Sequence, residues 1–167
     1  ALARTERERI HVSVVGQELS SDEVAFKEHL SHEFSTIEHL GGFRLASNVP
    51  HNRIGDLFRS ADVSVLPSSH DLAPIFPLES LAHSVPVIVS SLNGTSAYVM
   101  EGQTGFLISP NAPESLAETL RFFLSSCESL AAMGGEARAF AEKWLSQSVA
   151  LEYLQHVPGL TLASQTP

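Results

Sequence analysis

The sequence predicts an α/β fold built on a doubly wound parallel sheet. Three observations point to it. The strand-like runs, such as VSVL at 63–66 and VPVIV at 85–89, are short and apolar throughout. Helical segments separate them almost without exception. The chain of 167 residues is about one domain's worth, enough to remove roughly 70% of the unfolded surface from water. Strands apolar on both faces bury both faces, which requires helices above and below the sheet.

The first residues, ALARTERERI, read as the end of a polar helix running into a strand at 10–15 (IHVSVV), which Gly16 should stop. Ser21-Asp22-Glu23 has the composition of a cap and first turn for a helix reaching about Phe34. Gly41-Gly42 breaks the chain before a second strand at 43–46. Asn48-Val49-Pro50 then leads into a helix with Ile54, Leu57 and Phe58 on one face. A third strand at 63–66 is closed by Pro67, a short helix is expected at 78–83, and a fourth strand at 85–89. Residues 96–100 suit a helical turn, 102–105 a tight turn, and 105–108 (GFLI) a last strand. Pro113 opens a helix in the position where its missing N–H costs nothing. The stretch 129–154 is helical in pattern, with an interruption expected at Gly134-Gly135 and a frayed tail over 156–167.

Composition narrows the function. Ten Lys and Arg against 19 Asp and Glu give a net charge of -9, which repels nucleic acid and anionic membrane. With only Lys27 and Lys143 as lysines, a phosphorylated ligand must rely on backbone amides, helix N-termini or individual arginines. The single cysteine, Cys127, permits no internal disulfide and weakly favours a reducing compartment. No apolar run approaches the ~20 residues of a membrane span, and the first residues lack a signal-peptide core.

In a doubly wound sheet, ligands bind beyond the C-terminal ends of the strands. Three loops lie there: 16–21, 46–52 and 67–78. The last, PSSHDLAPIFP, carries Asp71 and leads to Glu79. If both acids face the cleft, Glu79 suits a bidentate pair of hydroxyls such as a ribose diol, and the amides between them suit a diphosphate. Composition alone favours the plainer reading, in which Asp71 caps a turn and Glu79 profits from a helix dipole.

The order of motifs shifts that balance. ADVSVLPS, the pair Asp71-x7-Glu79, LESLA, VPVIVSS, NGTSAYV, EGQTGFLISP and MGGEAR together resemble the donor-binding half of retaining GT-B glycosyltransferases of group 1, the type with a Glu-x7-Glu motif. VSVVGQ and NVPHNRIGDLFRSADV fall where that family has a strand, a Gly turn and the helix before the motif. The resemblance spans about residues 1–155. Aspartate at the first acid and the Asn-Gly-x-Ser pattern look most like lipopolysaccharide-core glucosyltransferase I-like enzymes.

The resemblance implies a Rossmann-like doubly wound sheet forming one half of a GT-B fold. It makes residues 1–155 the nucleotide-sugar domain, lacking its first strand and the N-terminal acceptor domain. Glu79 would hold the ribose and Asp71 the transferred sugar, so Asp71 is the candidate catalytic residue, orienting sugar before it assists chemistry. Amides around Ile75, Phe76, Pro77 and Leu78 would contact sugar or diphosphate. Gly16 would lie near the phosphates, and Asn48 and Val49 near the base, with Ser68 also at the donor. The implied donor is a UDP-, GDP- or ADP-sugar, the acceptor a glycan or glycolipid. No cofactor or metal is implied, nor a nucleic-acid partner or transmembrane segment. The expected location is cytoplasmic, peripheral to the inner membrane in a full-length protein.

Two departures from the family pattern stand out. Ser84 replaces a usual Gly, and the Arg and Lys that bind the donor diphosphate belong to a segment upstream of VSVVGQ. A module that keeps the fold for sensing or protein interaction is therefore the alternative. Weaker signals are HLSHE, whose His29, His32 and Glu33 lack a metal-site spacing, and His70, a candidate neighbour of phosphate. Asn93-Gly94-Thr95 matches a glycosylation pattern but reads better as a turn. Gly-x-Ser-x-Gly, Walker and Gly-x-Gly-x-x-Gly motifs are missing from the sequence, which removes the common hydrolase, kinase and dehydrogenase readings.

Overall fold

The structure is a computed structural model that describes residues 2–16, 21–37 and 39–146. Its elements are α1 (Arg4–Arg7), β1 (His11–Gly16), α2 (Ser21–Thr36), β2 (Gly42–Ser47), α3 (His51–Arg59) and β3 (Ser64–Leu66), followed by α4 (Phe76–Ala82), β4 (Val87–Ser90), a 3₁₀ turn (Ser96–Tyr98), β5 (Gly105–Ile108), α5 (Pro113–Ser125) and α6 (Cys127–Trp144). The chain divides into two compact units. One holds Ala1–Ser60 with Ala112–Cys127; the other holds Ala61–Asn111 and the chain from Glu128.

In the first unit β1 and β2 pair in parallel, with His11 opposite Gly42 and Gly16 opposite Ser47. Helix α2 makes the crossover between them, as a parallel pair requires. Phe34 of α2 stacks on Phe43 of β2, ring centroids 4.3 Å apart and planes 9° apart. Helix α5 is tied to the start of the chain by Arg121 Nε donating to Glu6 (3.1 Å) and Arg9 donating to the Leu124 carbonyl (2.9 Å). Contrary to the expectation of strands buried on both sides, β1 alternates between exposed and half-buried positions. Among the described residues β2 is its one strand neighbour.

The second unit meets that expectation fully at its centre. β3, β4 and β5 form a parallel sheet in that order, and all four residues of β4 are buried. Leu81, Val87, Val89, Val99, Ala137 and Ala141 make the core, with Phe140 and Leu107 packed against it. β5 lies so close to β4 that a Cβ at Gly105 would stand 2.0 Å from the Val87 carbonyl oxygen. Only glycine permits that spacing.

Several boundaries differ from the sequence expectations, each for a local reason. Gly16 does not stop the first strand; it is the strand's last paired residue. Ser21 lies inside α2, so any cap falls on residues outside those described. α4 starts at Phe76 rather than 78, because Pro77 has the fixed φ and missing N–H that suit a first turn. α6 runs unbroken through Gly134-Gly135. There a Cβ on Gly134 would come 2.6 Å from the Ser84 carbonyl oxygen, so the glycine lets the helix pack rather than breaking it. The expected continuation of that helix to 154 and the frayed tail lie outside the described residues.

Candidate functional site

The loop between β3 and α4 carries most of the candidate residues, and the structure shows what holds it. Asn93 lies in the loop after β4, at the same C-terminal edge of the sheet. Its Nδ2 donates to Ser68 Oγ (3.1 Å), while its Oδ1 accepts from the Thr95 amide (3.0 Å) and the Thr95 hydroxyl (2.7 Å). Next to it, Gly94 N–H donates to the Asp71 carbonyl (2.9 Å). Asn93 is 2% exposed and Thr95 4%. Asn93 is thus a buried structural side chain, and the turn reading of Asn93-Gly94-Thr95 holds.

Asp71 is half-buried, and Leu72 and Ile75 beyond it are strongly exposed, at 92% and 67%. Ile75 caps α4 with an αR backbone, and its carbonyl accepts the Glu79 N–H (3.0 Å). Glu79 is half-buried near the helix start, where a carboxylate is favoured by the dipole. Phe76, Pro77 and Leu78 form the first turn, where the Leu78 N–H has no acceptor within the helix. Pro77 must be removed from the list of amide donors. It has no N–H, and it is among the fully buried residues. Its part is to start the helix.

Two hydroxyls lock α4 to the sheet. Ser80 Oγ donates to the Val85 carbonyl (2.9 Å) and lies 2.7 Å from Ser64 Oγ of β3. Because the Ser80 proton goes to Val85, Ser64 donates to Ser80. Both serines are buried, so the residue following Glu79 is fixed to β3. Sequence reasoning missed Ser64, Ser80, Asn93 and Gly94 as supports. The one signal available was the Asn-Gly pair.

In the first unit Gly16, Asn48 and Val49 come together. The Asn48 N–H donates to the Gly16 carbonyl (3.0 Å), and Asn48 adopts a left-handed backbone (φ 52), which asparagine tolerates. Val15, Gly16, Val49, His51 and Ile54 line a cleft of about 290 Å³. A Cβ at Gly16 would meet nothing within 4 Å, so packing does not demand that glycine. Arg53 and Arg59 both pair with Asp56, Arg53 at 2.8 Å. His70 is exposed, with its Nδ1 2.9 Å from Ser69 Oγ. His29, His32 and Glu33 are exposed on α2. Among the described residues, no three His, Cys, Asp or Glu side chains converge as metal ligands would.

The family model described as "Glycosyl transferases group 1" matches residues 1–140. The chain belongs to the group 1 glycosyl transferases. Among curated relatives, a D-inositol 3-phosphate glycosyltransferase of Streptomyces scabiei (strain 87.22) is 32% identical over 138 residues, covering 83% of this chain and 31% of its own length. The chain spans between 21% and 32% of the length of such relatives. Two solved structures show the same fold at low identity. Sucrose-phosphate synthase from Thermosynechococcus elongatus superposes with a TM-score of 0.74 at 22% identity, over 91% of this chain and 39% of that one. Anabaena Alr3699/HepE in complex with UDP-glucose superposes with a TM-score of 0.71 at 20% identity, over 87% and 40%. This group 1 chain is therefore α/β with parallel strands, a Rossmann-like half of a GT-B fold.

Proposed function

We propose that the chain is the donor-binding half of a retaining glycosyltransferase that moves a hexose-like sugar from a nucleotide diphosphate to a sugar or lipid-linked acceptor. One observation carries this reading. The residues of the Asp71-x7-Glu79 motif lie on a single connection at the C-terminal edge of a parallel sheet, the edge where α/β folds bind ligands, and that connection is pinned at Ser68, Asp71 and Ser80. The complex of Alr3699/HepE with UDP-glucose makes UDP-glucose the first donor to test.

In this reading Glu79 accepts two hydrogen bonds from the ribose, and the Asp71 carboxylate accepts from hydroxyls of the transferred sugar. The Leu78 amide in the first turn of α4 faces the sugar or diphosphate, and Ser68 supports the donor. The acceptor attacks the face that the leaving diphosphate vacates, so neither acid forms a covalent bond. Oriented amides placed where negative charge develops stabilise a leaving diphosphate. Arg53 and Arg59 are committed to Asp56 and are not assigned to phosphate. A peripheral place at a membrane belongs to the same proposal; no helix among the described residues is long and apolar enough to cross one.

Calorimetric titration of UDP and UDP-glucose into the chain tests the reading. Charged hydrogen bonds are worth about 1.5–3 kcal/mol each, so Glu79→Ala should weaken both ligands at least ~10-fold. Absence of binding, or binding indifferent to Glu79→Ala, would sink the donor-site assignment.

A further inference from the structure

We propose that Asn93 and Gly94 are positioning residues that set where the Asp71 carboxylate meets the transferred sugar. The proposal rests on the donor-site reading and deepens it. Asp71 has an irregular backbone, so its location depends on what its peptide groups touch. Three contacts decide that. The Gly94 N–H holds the Asp71 carbonyl at 2.9 Å. The Gly94 Cα seats against the next peptide so tightly that a Cβ would stand 1.6 Å from the Leu72 carbonyl oxygen. Asn93 Nδ2 holds Ser68 Oγ, three residues before Asp71.

The clamp is itself rigid. Asn93 N–H donates to the Ser90 carbonyl at the end of β4 (2.9 Å), and its own carbonyl accepts from Ser96 N–H (3.0 Å). Two Thr95 donors on Oδ1 fix the amide orientation, so Nδ2 has to point at Ser68. The end of β4 thereby transmits its position across the sheet edge to the loop after β3. Glu79 sits outside this linkage, held through its neighbour Ser80, which bonds to Ser64 of β3 and to the Val85 carbonyl. The two acids have separate supports, and a change at Asn93 or Gly94 should move one without the other.

That separation gives the test. Affinities for UDP-glucose and UDP are measured by calorimetry for the chain and for Gly94→Ala, Asn93→Ala, Asn93→Asp, Asp71→Asn and Glu79→Ala. Misplacing a contact group by about 1 Å is costly, so Gly94→Ala and Asn93→Ala should raise the ratio of the UDP-glucose to the UDP dissociation constant about 10-fold, leaving UDP within about 2-fold. Asn93→Asp should restore the ratio, because its carboxylate still accepts from Thr95 and the Ser68 hydroxyl turns to donate to it. Adding Asn93→Ala to Asp71→Asn should change the ratio no further, the non-additivity expected of one linked unit. Equal weakening of both ligands, an unchanged ratio, or additive effects with Asp71→Asn would overturn the positioning role while the donor site stands. Indifference to Glu79→Ala would overturn the donor-site reading and this proposal with it. If Gly94→Ala does not fold, Asn93→Ala and its Asp rescue decide the outcome.

Discussion

Ser84 sits in a turn that explains why the family pattern has glycine there. Helix α4 ends with Val85 N–H on the Ser80 carbonyl and Ser84 N–H on the Leu81 carbonyl, both 3.0 Å. That pair of bonds is the Schellman motif, which needs a left-handed residue at Ser84's place, and Ser84 has φ 63. A residue with a Cβ is strained there and glycine is not. Ser84→Gly should therefore stabilise the chain by about 0.5–1 kcal/mol in chemical denaturation, with donor binding unchanged. The substitution bears on stability and gives no support to the sensing or interaction alternative. At Asp56, the hydrogen bond from Arg59 acts most strongly, with Arg53 adding to it, and together they hold the carboxyl below its ordinary value of 3.8 despite some desolvation. Its contribution to stability is present above the unfolded-state pKa and is lost as pH falls through the lower folded value. An NMR titration should find the Asp56 midpoint below that of an unpaired aspartate, and Arg59→Ala should move it up.

Among the elements, α6 separates two adjacent glycines by their surroundings. Gly134 faces the Ser84 carbonyl and Gly135 faces open space. Gly134→Ala should destabilise by about 1–3 kcal/mol through overpacking, whereas Gly135→Ala should gain about 0.5–1 kcal/mol of helix propensity. Thermal melts of the two variants should shift in opposite directions. The strand–helix order was legible because β4 is apolar on both faces and Gly and Pro mark the turns. Boundaries shifted where a punctuating residue had a second use: Pro77 starts α4, Gly16 ends β1 by pairing, and Gly134 packs. The clamp was not legible. Asn93 reaches Ser68 across 25 residues, and no periodicity or local propensity encodes such a bond. Nor does composition distinguish a buried Asn-Gly that holds a loop from an exposed one that merely turns.

For the molecule as a whole, the proposed donor site raises the question of how a chain of net charge -9 would receive a nucleotide diphosphate. Long-range electrostatics oppose the encounter, and two of its arginines are occupied by Asp56. The proposed answer is local: oriented amides for the phosphates and two separately supported carboxylates for the hydroxyls. The resemblance named Asp71 and Glu79 from their spacing, while the hydrogen bonds that support them separately became visible only in three dimensions. The most direct measurement is a structure of the chain with UDP-glucose. The ribose hydroxyls should lie on the Glu79 carboxylate and the glucose hydroxyls within hydrogen-bond reach of Asp71, with Gly94 still bonded to the Asp71 carbonyl. A nucleotide bound elsewhere, or bound there with neither carboxylate touching it, would contradict the account.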